Sequence, residues 1–339
     1  MTATAIPKPQ EQVIPSGRNL FKAIVLLVLL LMSFFLTQHG VAVIAASVWP
    51  AGVVITVTWL FVGIMAVWHS VLIIGMGILA HDAAHRVLFR SPFWNEMIGG
   101  LLAALALLPF YTNRQIHLTH HGYAHQPELD PENAIHHHSF LFSFTAGSLI
   151  ALVIHYRLLF QNLLRLRDPR YTERVLLDLL FVAEAGVLYF GLIPALGLSL
   201  SVSVIPMLVA LPLVFSWRAL SDHYGIPAIE RTTNKGPVLD VDAESWHRDR
   251  HKRSREVTGW VVRTHPVLEW LWSHVNYHEV HHKYPWLSHV YLKAAFEATE
   301  HRQPYLVVNG YWRSLLNLRH RRYYDSRESA RPYLSTPDW

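Results

Sequence analysis

The chain has 339 residues, of which 52% are hydrophobic and only 16% charged, and a formal net charge of +5. It contains no cysteine, which excludes both a disulfide framework and a thiolate metal site. The apolar residues are pooled into long runs instead of recurring at helix or strand period, a distribution that belongs to a membrane protein and not to a soluble domain.

Taken in chain order, residues 1–20 are mostly polar, with Pro7, Pro9 and Pro15, and are expected to form a tail. Phe21–Leu36 and Ala51–Ala80 approach or exceed the length a helix needs to cross hydrocarbon. No small-residue cleavage site clearly follows the first run, so it reads as a retained span. Phe93–Phe110 is apolar but short, and fits an interfacial or re-entrant helix. Phe140–Phe160 is long enough to span, yet crossing would place the basic stretch Arg165–Arg174 outside, against the positive-inside rule. It is therefore expected to lie in the interface.

Val175–Ile193 and Leu198–Leu220 read as a hairpin out and back, with Pro194 and Gly197 at the turn. The chain is then polar to Val267 and amphipathic to about Phe296, as a hydrophilic cap would be. The expected fold is an all-α integral membrane protein with four transmembrane helices, interfacial helices and a cytoplasmic helical cap. Its expected divisions are the tail 1–20, a membrane domain 21–296 and a polar segment 297–339. Basic residues gather in Arg165–Arg174, Arg248–Arg255 and Arg319–Arg322, which points these segments to the cytoplasm, on the inner membrane if the source is bacterial.

Histidine is the anomaly, with 23 in the chain. Three tight groups lie beside apolar runs: His81-Asp-Ala-Ala-His85, His117-Leu-Thr-His120-His121 and His278-Glu-Val-His281-His282. A smaller element, Asp222-His223-Tyr224-Gly225, follows the last apolar run. Residues three and four apart share a helix face, so each group is expected to aim its imidazoles at one point. With four spans, every group falls on the cytoplasmic side. Unrelated solvated histidines are the bland reading, but two His-x2-His-His groups and a His-x3-His on one membrane face are hard to assign to chance. Ionisable clusters at a membrane are functional by default. Neutral imidazole suits zinc, copper, nickel and iron, so spacing alone does not name the metal.

These groups resemble the histidine boxes of membrane fatty acid desaturases and their hydroxylase relatives. Asn276-Tyr277-His278-Glu279-Val280-His281-His282, followed by Tyr284-Pro285 and Ser288-His289, is similar to the third box of bacterial members. Glu128-Leu-Asp130-Pro131 resembles the acidic segment after the second box, and Asp222-His223-Tyr224-Gly225 an extra element notable in membrane alkane hydroxylases. Some desaturases look to have Asn four residues before the histidine equivalent to His223, where this chain has Ala219, a departure that leans toward the alkane-hydroxylase version or a less typical branch of the desaturases.

The resemblance covers about Ala80 to Phe296 and implies a non-haem di-iron centre that uses dioxygen as co-substrate. Carried over residue by residue, its ligands are His81, His85, His117, His120, His121, His223, His278, His281 and His282. The ligand set lacks an acid, so neighbouring groups matter, with Asp82, Asp222, Glu279, His125 and Asn276 as candidates. The implied reaction abstracts hydrogen from an unactivated C–H bond of a lipid, most simply to desaturate a fatty acyl chain. Hydroxylation or ketolation of an alkane, fatty acid, terpenoid or carotenoid would use the same ligands.

Electrons are expected from a separate donor such as ferredoxin or rubredoxin, and no nucleic-acid partner is expected. The basic stretch around Arg248, Lys252 and Arg253 reads as a solvated or lipid-facing cap, with donor docking as its alternative. His136–His138 and His289 are expected in loops or behind the ligands, and His69 is expected to line a cavity or bond a neighbouring helix. Trp260, Trp270, Trp272 and Tyr277 are expected to anchor the cap at the interface.

Two other classes fit parts of the pattern. His278-Glu279-Val280-His281-His282 also satisfies His-Glu-x-x-His, the zinc-protease arrangement, but leaves the first two groups and His223 without a role. A metal transporter would place its ligands near the bilayer midplane in broken helices, whereas these lie at span ends.

Overall fold

The computed structural model describes residue 6 and residues 12–126, 129–132, 138–226, 257–319 and 331–335. Glu128, His136, His137 and the basic stretch with Arg248, Lys252 and Arg253 lie outside the described residues. In chain order the main helices are α1 (Ser16–Ala45), α2 (Ala51–Ala84), α3 (Pro92–Leu105), α4 (Phe110–Tyr123), α5 (Phe140–Leu163), α6 (Pro169–Ala195) and α7 (Val204–His223). The cap adds β1 (Trp260–Arg263), α8 (Pro266–Leu271), α9 (His278–Lys283), α10 (Leu292–Thr299), β2 (Leu306–Asn309) and α11 (Tyr311–Leu318). The protein is an all-α membrane protein but for one two-stranded parallel sheet, β1 with β2.

Helix α2 has 34 residues. At about 1.5 Å per residue it is roughly 51 Å long, well beyond the ~30 Å of hydrocarbon. Its last turns therefore stand clear of the apolar slab and carry His81 and His85 with them. Gly197, in the left-handed region at φ 75°, makes the turn between α6 and α7. Ser199 N donates to Gln38 Oε1 at 3.2 Å, so this turn sits at the end of α1 away from its start. The start of α1 lies at the histidine end, where Asn19 donates to the Leu88 carbonyl and Lys22 to Ser273 Oγ, both buried.

Five helices are long and apolar enough to cross a membrane: α1, α2, α5, α6 and α7. That is one more than the four expected, because the 24 residues of α5 meet the length requirement that its flanking arginines argued against. Its middle lies against α7, where Ser148 Oγ donates to the Pro212 carbonyl at 2.8 Å. At its start Phe140 packs on Tyr224, next to His223, and at its end Asn162 donates to Gln115, two residues before His117. Both ends are thus held within a turn of the histidine cluster, at one end of the bundle. The α3–α4 pair is bent by 95° at its break, the geometry of a broken span or a re-entrant loop.

The cap is seated on the bundle. Trp272 Nε1 donates to the Val71 carbonyl, and a Cβ on Gly75 would lie 2.5 Å from the Leu271 carbonyl oxygen, so cap and α2 are in backbone contact. Trp260, Trp272 and Tyr277 are buried, which corrects their expected role as interface anchors. Trp260 and Trp272 pack into the core that the cap shares with the long helices, and Tyr277 into a smaller cluster within the cap; Trp270 instead lies under the Lys22 ammonium.

Candidate metal centre

Five elements converge on the histidine cluster. The end of α2 brings His81 and His85, α4 brings His117, His120 and His121, the end of α7 brings His223, and α9 brings His278, His281 and His282. A loop strand before β1 supplies the Thr258 carbonyl behind them. All nine rings meet, and eight of them form two groups whose donor nitrogens lie within 4.8 Å of one another. One group is His81, His85, His117, His121 and His281; the other is His120, His223 and His282. His278 joins the second, its Nε2 2.7 Å from His223 Nε2 and 3.1 Å from His282 Nε2.

The expectation that each box serves one point is corrected here. Successive residues on a helix diverge by about 100°, so the rings of each His-His pair part company. His121 and His281 go to the first group, with Nε2 atoms 2.9 Å apart, while His120 and His282 go to the second. The i, i+4 partners follow suit: His117 sits with His121, and His278 with His282. The two groups touch where His121 and His282 stack at 4.2 Å.

The donor chemistry fits metal ions. Imidazole nitrogens bind at about 2.0–2.1 Å, so donors around one ion lie no more than about 4.2 Å apart, within a small adjustment of the observed limit. Nε2 atoms that approach to 2.7 Å, as in His85 and His117, direct lone pairs into one space that only a proton or a cation can relieve. Both ring nitrogens of His81 are buried without a hydrogen-bond partner. Burial and the charges around them hold His278 and His281 well below the usual imidazole range, so both are neutral and ready to donate a lone pair at neutral pH.

Around the rings lie groups that fix their orientation. Asp130 accepts from His120 Nδ1 at 2.9 Å and from the His125 backbone N–H. His223 Nδ1 donates to the Thr258 carbonyl at 2.8 Å, and His125 Nε2 bonds the same oxygen at 2.9 Å. Glu279 in turn accepts from Thr258 N at 2.9 Å, so it steadies His223 through Thr258. Asp222 pairs with Arg218 at 2.5 Å and stands 3.8 Å from His278 Nδ1. Asp82 accepts from His289 Nδ1 at 2.7 Å and lies 3.6 Å from His81.

Of the candidate supporting residues, Asp82 and Asp222 sit beside cluster histidines, Glu279 acts at one remove, and His125 stays outside both nitrogen groups. Asn276 is the exception: it bonds the Val262 carbonyl and Glu269, and organises the cap. Asp130, Thr258 and Arg218 were missed as supporting groups. The Asp-Pro after the second box was a signal for Asp130; nothing in the sequence marked the carbonyl of Thr258. His69 behaves as expected, its Nε2 3.4 Å from Thr37 Oγ1 on α1.

The family model for fatty acid desaturases matches residues 54–314. Dihydrorhizobitoxine desaturase of Bradyrhizobium elkanii is 41% identical over 61 residues, 17% of either chain. The sn-1 oleoyl-lipid 12-desaturase of Arthrospira platensis is 29% identical over 72 residues, 21% of this chain and 20% of that one. The matched stretches thus span about a fifth or less of these relatives.

Proposed function

The chain belongs to the fatty acid desaturase family, and from that premise we propose that it oxidises an unactivated C–H bond of a lipid with dioxygen, most simply to desaturate a fatty acyl chain. The observation that carries this reading is the division of nine histidines, eight of them buried and His81 half-buried, into two neighbouring nitrogen groups. Such a division suits two ions side by side, and iron is the metal with the matching chemistry in this family. Two iron ions, when bound, supply the activation of dioxygen that breaking such a bond requires.

The chain's own residues supply the rest. His81, His85, His117, His121 and His281 would hold one ion, and His120, His223, His278 and His282 the other. Asp130 accepts a hydrogen bond from His120 Nδ1–H, and the Thr258 carbonyl one from His223 Nδ1–H, which leaves the Nε2 lone pairs of both rings facing the site. With no acid in either group among the described residues, the metal charge is balanced from behind, by Asp82, Asp130 and Asp222. Burial of the rings excludes bulk water, which would otherwise quench a reactive oxidant.

A zinc-protease reading needs Glu279 poised as a base beside a zinc held by His278 and His282. Glu279 is instead fully buried, bonded to Thr258 and 3.5 Å from Lys283. The basic segments of the sequence support an active site on the cytoplasmic side, and the proposed reductant is a separate ferredoxin- or rubredoxin-like protein. Lipid and hydrocarbon profiling of cells expressing the chain with a ferredoxin system tests the reading. A new double bond is expected; a new hydroxyl would assign hydroxylation to the same centre, and no oxidised product would overturn the function.

A further inference from the structure

Helix α4 carries three of the nine histidines, yet its own start is uncapped. Pro109 precedes it and offers no side-chain cap. The start lies at the bend of the α3–α4 pair, where the first N–H groups of α4 and the last carbonyls of α3 need partners from outside their own helices. Other helices meet that need. Tyr189 Oη donates to the Leu105 carbonyl at 2.6 Å and Tyr156 Oη to the Leu107 carbonyl at 2.9 Å.

Asp178 serves the α4 side. Its carboxylate accepts from Tyr111 N at 2.7 Å, Thr112 N at 3.0 Å and Thr112 Oγ1 at 2.8 Å. It is buried on α6, a helix that contributes no histidine to either nitrogen group. One turn along α6, Phe181 closes on Gly100 of α3 so tightly that a Cβ there would meet the ring at 2.1 Å. Asp178 and Phe181 thus hold both arms of the α3–α4 pair against one helix.

We propose that Asp178 is a positioning residue for the metal centre: through the start of α4 it sets the reach of His117, His120 and His121 into the two nitrogen groups. The bonded backbone is five residues, little more than one turn, from His117. A shift of α4 along its axis moves one ring of the first group, His117, together with the His120 and His121 pair that serves both groups. Asp178 is therefore the point at which α6 acts on both ion positions at once. The proposal rests on the reading of these histidines as a metal centre.

The test uses the full chain in detergent, titrated with ferrous iron, with iron retained per chain and the Mössbauer spectrum as readouts. Asp178→Ala is expected to lower iron affinity by roughly tenfold while helix content stays unchanged. Asp178→Asn keeps one acceptor and is expected to hold iron but with an altered spectrum. Asp168→Ala is the control, because Asp168 caps α6 itself through Arg170 N and touches no box. It is expected to load and resonate as wild type. Wild-type loading and spectrum in both Asp178 variants would overturn the proposal, as would an equal loss in Asp168→Ala. Should Asp178→Ala fail to fold, an unaltered spectrum in Asp178→Asn overturns it alone. A wild-type chain that takes up no iron would overturn the metal reading instead, and the proposal with it.

Discussion

Each His-His pair sends one ring to each nitrogen group, so a single substitution within a pair should remove one ion position more than the other. His120→Ala and His282→Ala are expected to weaken the smaller group, and His81→Ala and His85→Ala the larger, with iron per chain falling toward one in each case. Equal retention of both irons in these variants would contradict the division. Asp130→Asn should lower metal affinity by about 10–100-fold, because His120 loses the acceptor that fixes its tautomer. Equilibrium dialysis against a chelator measures this, and unchanged affinity would remove Asp130 from the site. At this scale the sequence was most legible: spacings of three and four brought out eight of the rings, and the resemblance of Asp222-His223-Tyr224-Gly225 brought out His223. It was blind to which ring serves which group, since that depends on how α4 and α9 face one another, and to Thr258, whose contribution is a backbone carbonyl that no side-chain pattern encodes.

Among the elements, α2 and the cap are joined at Gly75, where the Leu271 carbonyl occupies the space a side chain would need. Gly75→Ala is expected to destabilise the protein by about 1–3 kcal/mol through overpacking, with the cap and its α9 histidines displaced. Thermal unfolding measures it, and a melting temperature equal to wild type would show that the cap yields at no cost. Run length revealed α1, α2, α6 and α7, because crossing hydrocarbon leaves an unbroken apolar signature. The short apolar run Phe93–Phe110 was legible as a segment that does not cross by itself, but not its break after Leu105 or its continuation into α4. The parallel β1–β2 pair was not: its partners are separated by α8, α9 and α10, and four-residue strands carry too little periodicity to read. The buried Trp260 and Trp272 were misplaced for a related reason, since an aromatic residue near a membrane protein's polar segment looks the same whether it faces lipid or fills a cap.

Across the whole molecule, both ends of α5 lie at the histidine end of the bundle. The chain has no cysteine, so single introduced ones report sidedness directly. Arg90→Cys and Leu164→Cys should react with an impermeant thiol reagent from the same side, and Ser47→Cys from the other; Leu164→Cys reacting with Ser47→Cys would make α5 a fifth crossing. Acid should also destabilise the apoprotein. His278 and His281 are depressed below the unfolded imidazole value of 6.5, so below that pH the unfolded chain binds protons that the folded one refuses. Their contribution is intact above about pH 6.5 and is lost as pH falls beneath it, and a melting temperature that rises on acidification would contradict the assignment of neutral, buried rings.

The account turns on two ions held by histidine alone, and metal analysis of the purified full chain, with Mössbauer spectroscopy of iron-57-enriched protein, addresses it most directly. Two irons per chain, coupled and both dependent on the nine histidines, is the predicted result. About one zinc per chain, or iron that survives replacement of His120 and His281 together, would contradict it.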